Sequence, residues 1–134
     1  GIKATPGQNV KLEKAYSDYF AKEGQKFQKA NDIAKAAENF TKSSQVSNKQ
    51  LKARGLLSLG TLYFNNGASI LQKATPYATS EKEKYEAEKA KALADFKKAQ
   101  DYLKQAATVE PTNEAVKETQ KQVADAIAPL VEKK

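Results

Sequence analysis

The chain contains no cysteine, histidine, methionine or tryptophan. Without cysteine there is no disulfide, no thiolate nucleophile and no thiolate-held metal. Without histidine the commonest general base and the commonest transition-metal ligand are missing. Only a carboxylate site for a hard cation remains open, and no acidic residues have EF-hand spacing. The nucleophile-elbow, P-loop and dinucleotide-binding patterns are also absent. These gaps argue against an enzyme, a bound cofactor or a metal centre. No run of 18 or more apolar residues would cross a membrane. The lack of methionine implies that this is not a complete reading frame, so a leader or another domain is expected to have been removed ahead of Gly1.

What is present suits helices. The 134 residues amount to one domain's worth of chain. Ala, Lys, Glu, Gln and Leu dominate, all good helix formers, and no Val/Ile/Thr-rich run alternates apolar with polar. The expected class is all-α. The net charge is +7, unevenly spread: residues 1–50 hold nine Lys and five acids, residues 51–80 hold Lys52, Arg54 and Lys73 with no acid, and the remainder balances. The first 80 residues would therefore attract acidic or anionic partners.

The most telling stretch is Leu56-Leu57-Ser58-Leu59-Gly60-Thr61-Leu62-Tyr63. On a helix, Leu56, Leu59 and Tyr63 share a face with Gly60 beside it. A mid-helix glycine costs about 1 kcal/mol against alanine, and close approach of a second helix is the reason to keep one. The spacing repeats upstream as Phe20-x3-Gly24-x2-Phe27, on a helix expected to start at an Asn9 cap and to carry Leu12, Tyr16, Phe20 and Phe27 on its core face. Residues 1–8 read as an extended lead-in with a turn at Thr5-Pro6-Gly7. Asn31-Asp32 reads as a tight turn, followed by a helix with Ala36, Phe40 and Ser43. Ser47-x-x-Gln50 and Ser80-x-x-Glu83 have capping-box form, and Pro76 should end the helix that starts near Lys49. After Ser80, Tyr85, Ala92, Ala99 and Ala106 recur at seven-residue steps with Phe96 and Leu103 between, a seam for a partner helix. Thr112 or Asn113 should cap a last helix carrying Val116, Val123 and Ile127, which should stop before Pro129, with the final residues frayed.

Leu-Gly-x2-Tyr followed by Ala99-x3-Leu103-x2-Ala106-x4-Pro111, with its second copy, resembles the tetratricopeptide-repeat (TPR) family over about residues 12–127. Tyr63 and Ala99 are separated by 35 residues, about 27 more than an ordinary repeat allows. That points to an expanded helical hairpin, a variant found in some bacterial proteins, with arms of roughly 40 Å. The resemblance implies a single domain, a right-handed helical-hairpin solenoid of about five helices. Repeat one would span about 17–48, the expanded repeat two about 53–111, and a capping helix about 113–128. It implies a non-enzymatic scaffold that binds a partner peptide or protein in a groove lined by the first helix of each repeat. The groove positions carry over to Lys22, Gln25 and Lys29 in repeat one and Arg54, Ser58, Thr61 and Asn65 in repeat two. Tyr77, at the hairpin tip, is a candidate contact. The resemblance also tilts the expected location towards the bacterial periplasm or envelope rather than the cytoplasm.

Other readings rank lower. Glu81, Glu83, Glu86, Glu88 and Asp95 alternate with Lys82, Lys84, Lys89 and Lys91, the pattern of a solvated helix face. The charge invites nucleic acid or an acidic glycan, but Tyr16, Phe20, Phe27, Phe40, Tyr63, Tyr85 and Phe96 fall on expected core faces, leaving few rings to stack on bases. Self-assembly through the hairpin seam is the third alternative.

Overall fold

In a computed structural model describing residues 6–131, with side chains from residue 11 onward, six helices follow one another: α1 (Pro6–Lys29), α2 (Ile33–Ser44), α3 (Lys49–Ala74), α4 (Tyr77–Ser80), α5 (Lys82–Val109) and α6 (Glu114–Val131). The all-α expectation holds. Five of the helices are long; the sixth, α4, is a single turn at the bend between α3 and α5.

Local chemistry accounts for most boundaries. Proline is well placed at the first helical position, where its missing N–H costs nothing. The helix therefore begins at Pro6 rather than after an Asn9 cap, and Pro6-Gly7 is helix rather than turn; residues 1–5 lie outside the described part. Lys26 and Lys29 sit in the last turn of α1, complementing its dipole. Asn31 then takes a left-handed backbone (φ 61°), and the Asp32 carboxylate accepts from Lys35 N at 3.1 Å to start α2.

Three expected boundaries move. α3 is capped by Asn48, whose side chain accepts from Leu51 N at 3.0 Å, because the Ser47 hydroxyl is engaged by Glu13 of α1 instead. Ser80 does not cap α5: it ends α4, donating to Pro76 O at 3.4 Å, and Glu81 holds the cap position without a side-chain bond. α6 is capped by Asn113, which accepts from Val116 N at 3.1 Å, and it runs through Pro129 to Val131. Proline's φ is helical and only one hydrogen bond is lost, so near an end the helix need not stop. Residues 132–134 are outside the described part.

α1 and α2 form a first hairpin; α3 and α5 form a much longer one; α2 packs on α3, and α6 on α5. One core cluster joins the hairpins through Ala36, Phe40, Leu56, Leu59, Leu62 and Val116. The second runs along the long hairpin through Ala92, Phe96, Ala99, Leu103 and Val123. Each fully buried Leu or Phe contributes about 1.5–3 kcal/mol against exposure. The glycines do what their spacing suggested. A Cβ on Gly60 would lie 2.7 Å from Leu103 Cγ, and one on Gly67 2.8 Å from Phe96 Cε1. Seven residues forward in α3 thus meet seven residues back in α5, the signature of an antiparallel heptad seam. Gly24 likewise receives the Phe40 ring.

Candidate functional site

Gly24 and Gly60 hold equivalent places in α1 and α3, so the expected groove residues occupy equivalent places too: Lys22 with Ser58, Gln25 with Thr61, Lys29 with Asn65. Lys22, Gln25, Lys29 and Asn65 are exposed; Ser58, Thr61 and Arg54 are partly covered. Of this set, Asn65 lines a cavity. That cavity, about 190 Å³, lies over Leu62 and brings Asn65 beside Gln28 and Asn31 of the first hairpin, with Asn66 and Ser69. Its wall of carboxamides offers donors and acceptors side by side. Asn66 is partly committed, donating to Asp95 Oδ2 at 2.6 Å.

Arg54 has a structural tie. Its Nη1 pairs with Asp18 Oδ1 of α1 at 2.7 Å, and its Nη2 donates to Ser17 Oγ at 2.7 Å. Ser17 Oγ in turn donates to Ser43 O at 2.8 Å, and Ser43 Oγ donates to Ser17 O at 2.8 Å. Both serines are fully buried. Lys14 and then Arg54 hold the Asp18 carboxyl below its ordinary range. Glu13 does a second job nearby: besides binding the Ser47 hydroxyl it accepts from Ser47 N and Asn48 N, each at 3.0 Å, and the Ser47 bonds keep its carboxyl below the usual range. Nothing in the residue pattern marked these latches, because serine and glutamate at solvated helical spacing look alike whether or not a loop returns to meet them.

At the tip, Tyr77 is half-buried, with the Lys84 ammonium 3.9 Å from its ring centroid. Deeper in the long hairpin, Tyr63 stacks on Tyr102 with centroids 5.8 Å apart. Burial pushes both phenols up, with Asp95 adding to the effect on Tyr63. A second cavity, about 450 Å³, opens between α2, α3 and α5, lined by Thr41, Ser44, Lys52, Leu56, Tyr102 and Val109 among others. Among the described residues no group of acidic side chains is arranged to hold a metal, and no helix is long and apolar enough to cross a membrane. Two acids of α5 pair with lysines on their own helix, Glu86 with Lys89 at 3.7 Å and Glu88 with Lys91 at 2.8 Å.

One expectation fails outright. Tyr16 and Leu12 do not face the core: they are 42% and 61% exposed. The face that α1 buries is marked by Ser17 and Gly24, and the apolar stripe beside it is left uncovered.

Helix pairs that stack through glycine-backed crossings, with a further helix packed against the second pair, define a helical-hairpin solenoid. No family model and no curated protein matches the chain. Among solved structures, a TPR repeats protein from Bacteroides fragilis NCTC 9343 matches with a TM-score of 0.86 at 52% identity, over 88% of this chain and 53% of that one. The chain belongs to the tetratricopeptide-repeat family in fold, and it spans about half the length of that relative. Folds of this family are generally interaction scaffolds rather than enzymes.

Proposed function

We propose that this chain is a non-enzymatic scaffold that binds a protein or peptide along the exposed faces of α1 and α3, with the long hairpin as a projecting second contact. What supports the reading is the kinship in fold together with the character of that face: Lys22, Gln25, Lys29 and Asn65 present ammonium and carboxamide groups to solvent, with the carboxamide-walled cavity between the hairpins. Carboxamides satisfy an extended peptide backbone, and lysines favour acidic side chains. The basic balance of the first 80 residues makes an acidic partner the natural match.

Arg54 is a poor test residue, since reversing its charge would break its tie to Asp18. The test is Lys22→Glu with Lys29→Glu, used beside the unaltered chain as bait in extracts of the source cells. Helical content is checked by circular dichroism. A partner retained by the unaltered chain through a high-salt wash and lost by the variant is the expected result. Equal retention by both removes the groove. A mixture of nucleic acid and acidic proteins that washes off with salt would instead favour the anionic-polymer reading.

A further inference from the structure

Three of the large apolar side chains that remain exposed lie together on α1: Leu12 at 61%, Tyr16 at 42% and Tyr19 at 59%. Phe20, half-buried, joins them, with the rings of Tyr16 and Tyr19 set edge-on to it at 4.8 and 5.0 Å between centroids. Positions 12, 16 and 19 follow a helical i, i+4, i+7 spacing, so they form a single stripe. A stripe of this kind on a protein surface marks an interaction site more often than an accident of composition.

The equivalent surface of α3 shows what shape of partner fits. Through the Gly24–Gly60 equivalence, Tyr16 and Tyr19 correspond to Lys52 and Gly55. On α3 that surface is covered by α2, and a Cβ on Gly55 would lie 2.6 Å from Ser44 Cβ. The matching surface of α1 therefore continues an existing helix-on-helix interface, and no described residue lies across it. With tyrosine where α3 has glycine, an incoming helix must ride on aromatic rings instead of touching backbone.

Charge identifies the occupant. Lys11 adjoins Leu12, Lys26 follows Tyr19 by seven residues, and both are exposed. Lys42 of α2 places its ammonium 5.2 Å from the Phe20 ring centroid on the other edge, in a long 4.0 Å pair with the exposed Glu38. The acid on the stripe, Glu23, is paired with Lys26 at 3.4 Å. A second copy of the chain would bring like charges together, which is unfavourable. We propose that the Leu12–Phe20 stripe docks an amphipathic helix of a partner protein, apolar along its ridge and acidic on its flanks, at a surface distinct from the groove.

The probe is a synthetic helical peptide of about five turns, with leucines at i, i+3, i+4 and i+7 and glutamates on both flanks. Its lysine-flanked counterpart serves as control. Binding to the full chain is read by fluorescence anisotropy and by NMR shifts of the tyrosine rings. The glutamate-flanked peptide should bind and move the Tyr16 and Tyr19 signals, and the lysine-flanked one should not. Tyr16→Ser with Tyr19→Ser, and separately Lys26→Glu with Lys42→Glu, should each weaken binding by roughly tenfold or more. Lys29→Glu, on the groove face, should leave it unchanged, which separates this proposal from the groove reading. No binding, equal binding of the two peptides, or indifference to the tyrosine changes overturns the proposal. So does a concentration-dependent dimer dispersed by those changes, which would assign the stripe to self-association. Displacement of the Tyr16 and Tyr19 signals by anionic lipid vesicles or a single-stranded oligonucleotide, but not by the peptide, also overturns it.

Discussion

The two hairpins close by different chemistry. The first, α1 with α2, seats the Phe40 ring over Gly24 but adds polar latches: the buried Ser17–Ser43 exchange within it, with Arg54 and the start of α3 tied to Asp18 and Glu13 of α1. The second, α3 with α5, meets chiefly by apolar shape: glycines of α3 accept Leu103 and Phe96, while Ala92, Ala99 and Ala106 are completely buried and Asn66 adds a bond to Asp95. Polar latches are specific about position but depend on ionisation and geometry. A small-residue seam depends on shape alone and repeats wherever the heptad repeats. Thus one repeat can keep ordinary length while the next extends without a new set of hydrogen bonds.

The contrast can be broken most strongly at Phe96. Truncation to alanine should cost about 3–5 kcal/mol, because the buried ring fills the space over Gly67 and its loss leaves a cavity there. Urea unfolding followed by circular dichroism measures this, and a loss under 1 kcal/mol would mean that the seam is not the keel of the long hairpin. Gly55→Ala comes next. Elsewhere in a helix this change gains about 1 kcal/mol, but here the added methyl meets Ser44 backbone nitrogen and Cα at 2.7 Å. The expected net loss is about 1–3 kcal/mol, and hydrogen exchange should show α1 and α2 loosening while the α3–α5 seam stays protected.

The smallest effect is that of pH. Hydrogen bonds from Ser47, and from Lys14 and Arg54, depress the carboxyls of Glu13 and Asp18 in the folded chain. Groups depressed in this way stabilise the fold fully above their unfolded values, about 4.3 for Glu and 3.9 for Asp. That contribution is lost as pH falls through the lower folded values. Amide exchange in the first hairpin should therefore be indifferent to pH from 7 to about 5, apart from the intrinsic rate, and should lose protection below about 4 before the seam does. Simultaneous loss in both hairpins would erase the distinction drawn between them.

Much of this was legible in the residues. The heptad of α5 and the glycine spacing of α3 are periodic signals, and periodicity reports which face of a helix is apolar. Pro76 ended α3 and Asn31-Asp32 made their turn because backbone chemistry at those residues leaves few choices. Caps were less legible. Ser47, Asn48 and Ser80 are all competent caps, and the winner was fixed by tertiary contact: once Glu13 takes Ser47, Asn48 is left for Leu51. Tyr16 and Leu12 show the other limit. Apolar spacing identifies a face but not whether another helix lies over it, so a stripe destined for a partner reads the same as core. The proposed groove positions came from the family resemblance, whereas the carboxamides that Gln28 and Asn31 bring to Asn65 required the fold.

The paired seven-residue steps of the long hairpin make it a ruler. Inserting one heptad into α3 and one into α5, with glycine and alanine kept in phase, would carry the Tyr77 tip outward by about 10 Å without disturbing the faces that meet. An insertion out of phase would rotate the arm before lengthening it. Reach in such a protein is then quantised, so that a lineage can adjust how far the tip stands from the stack while the base of the stack remains unchanged.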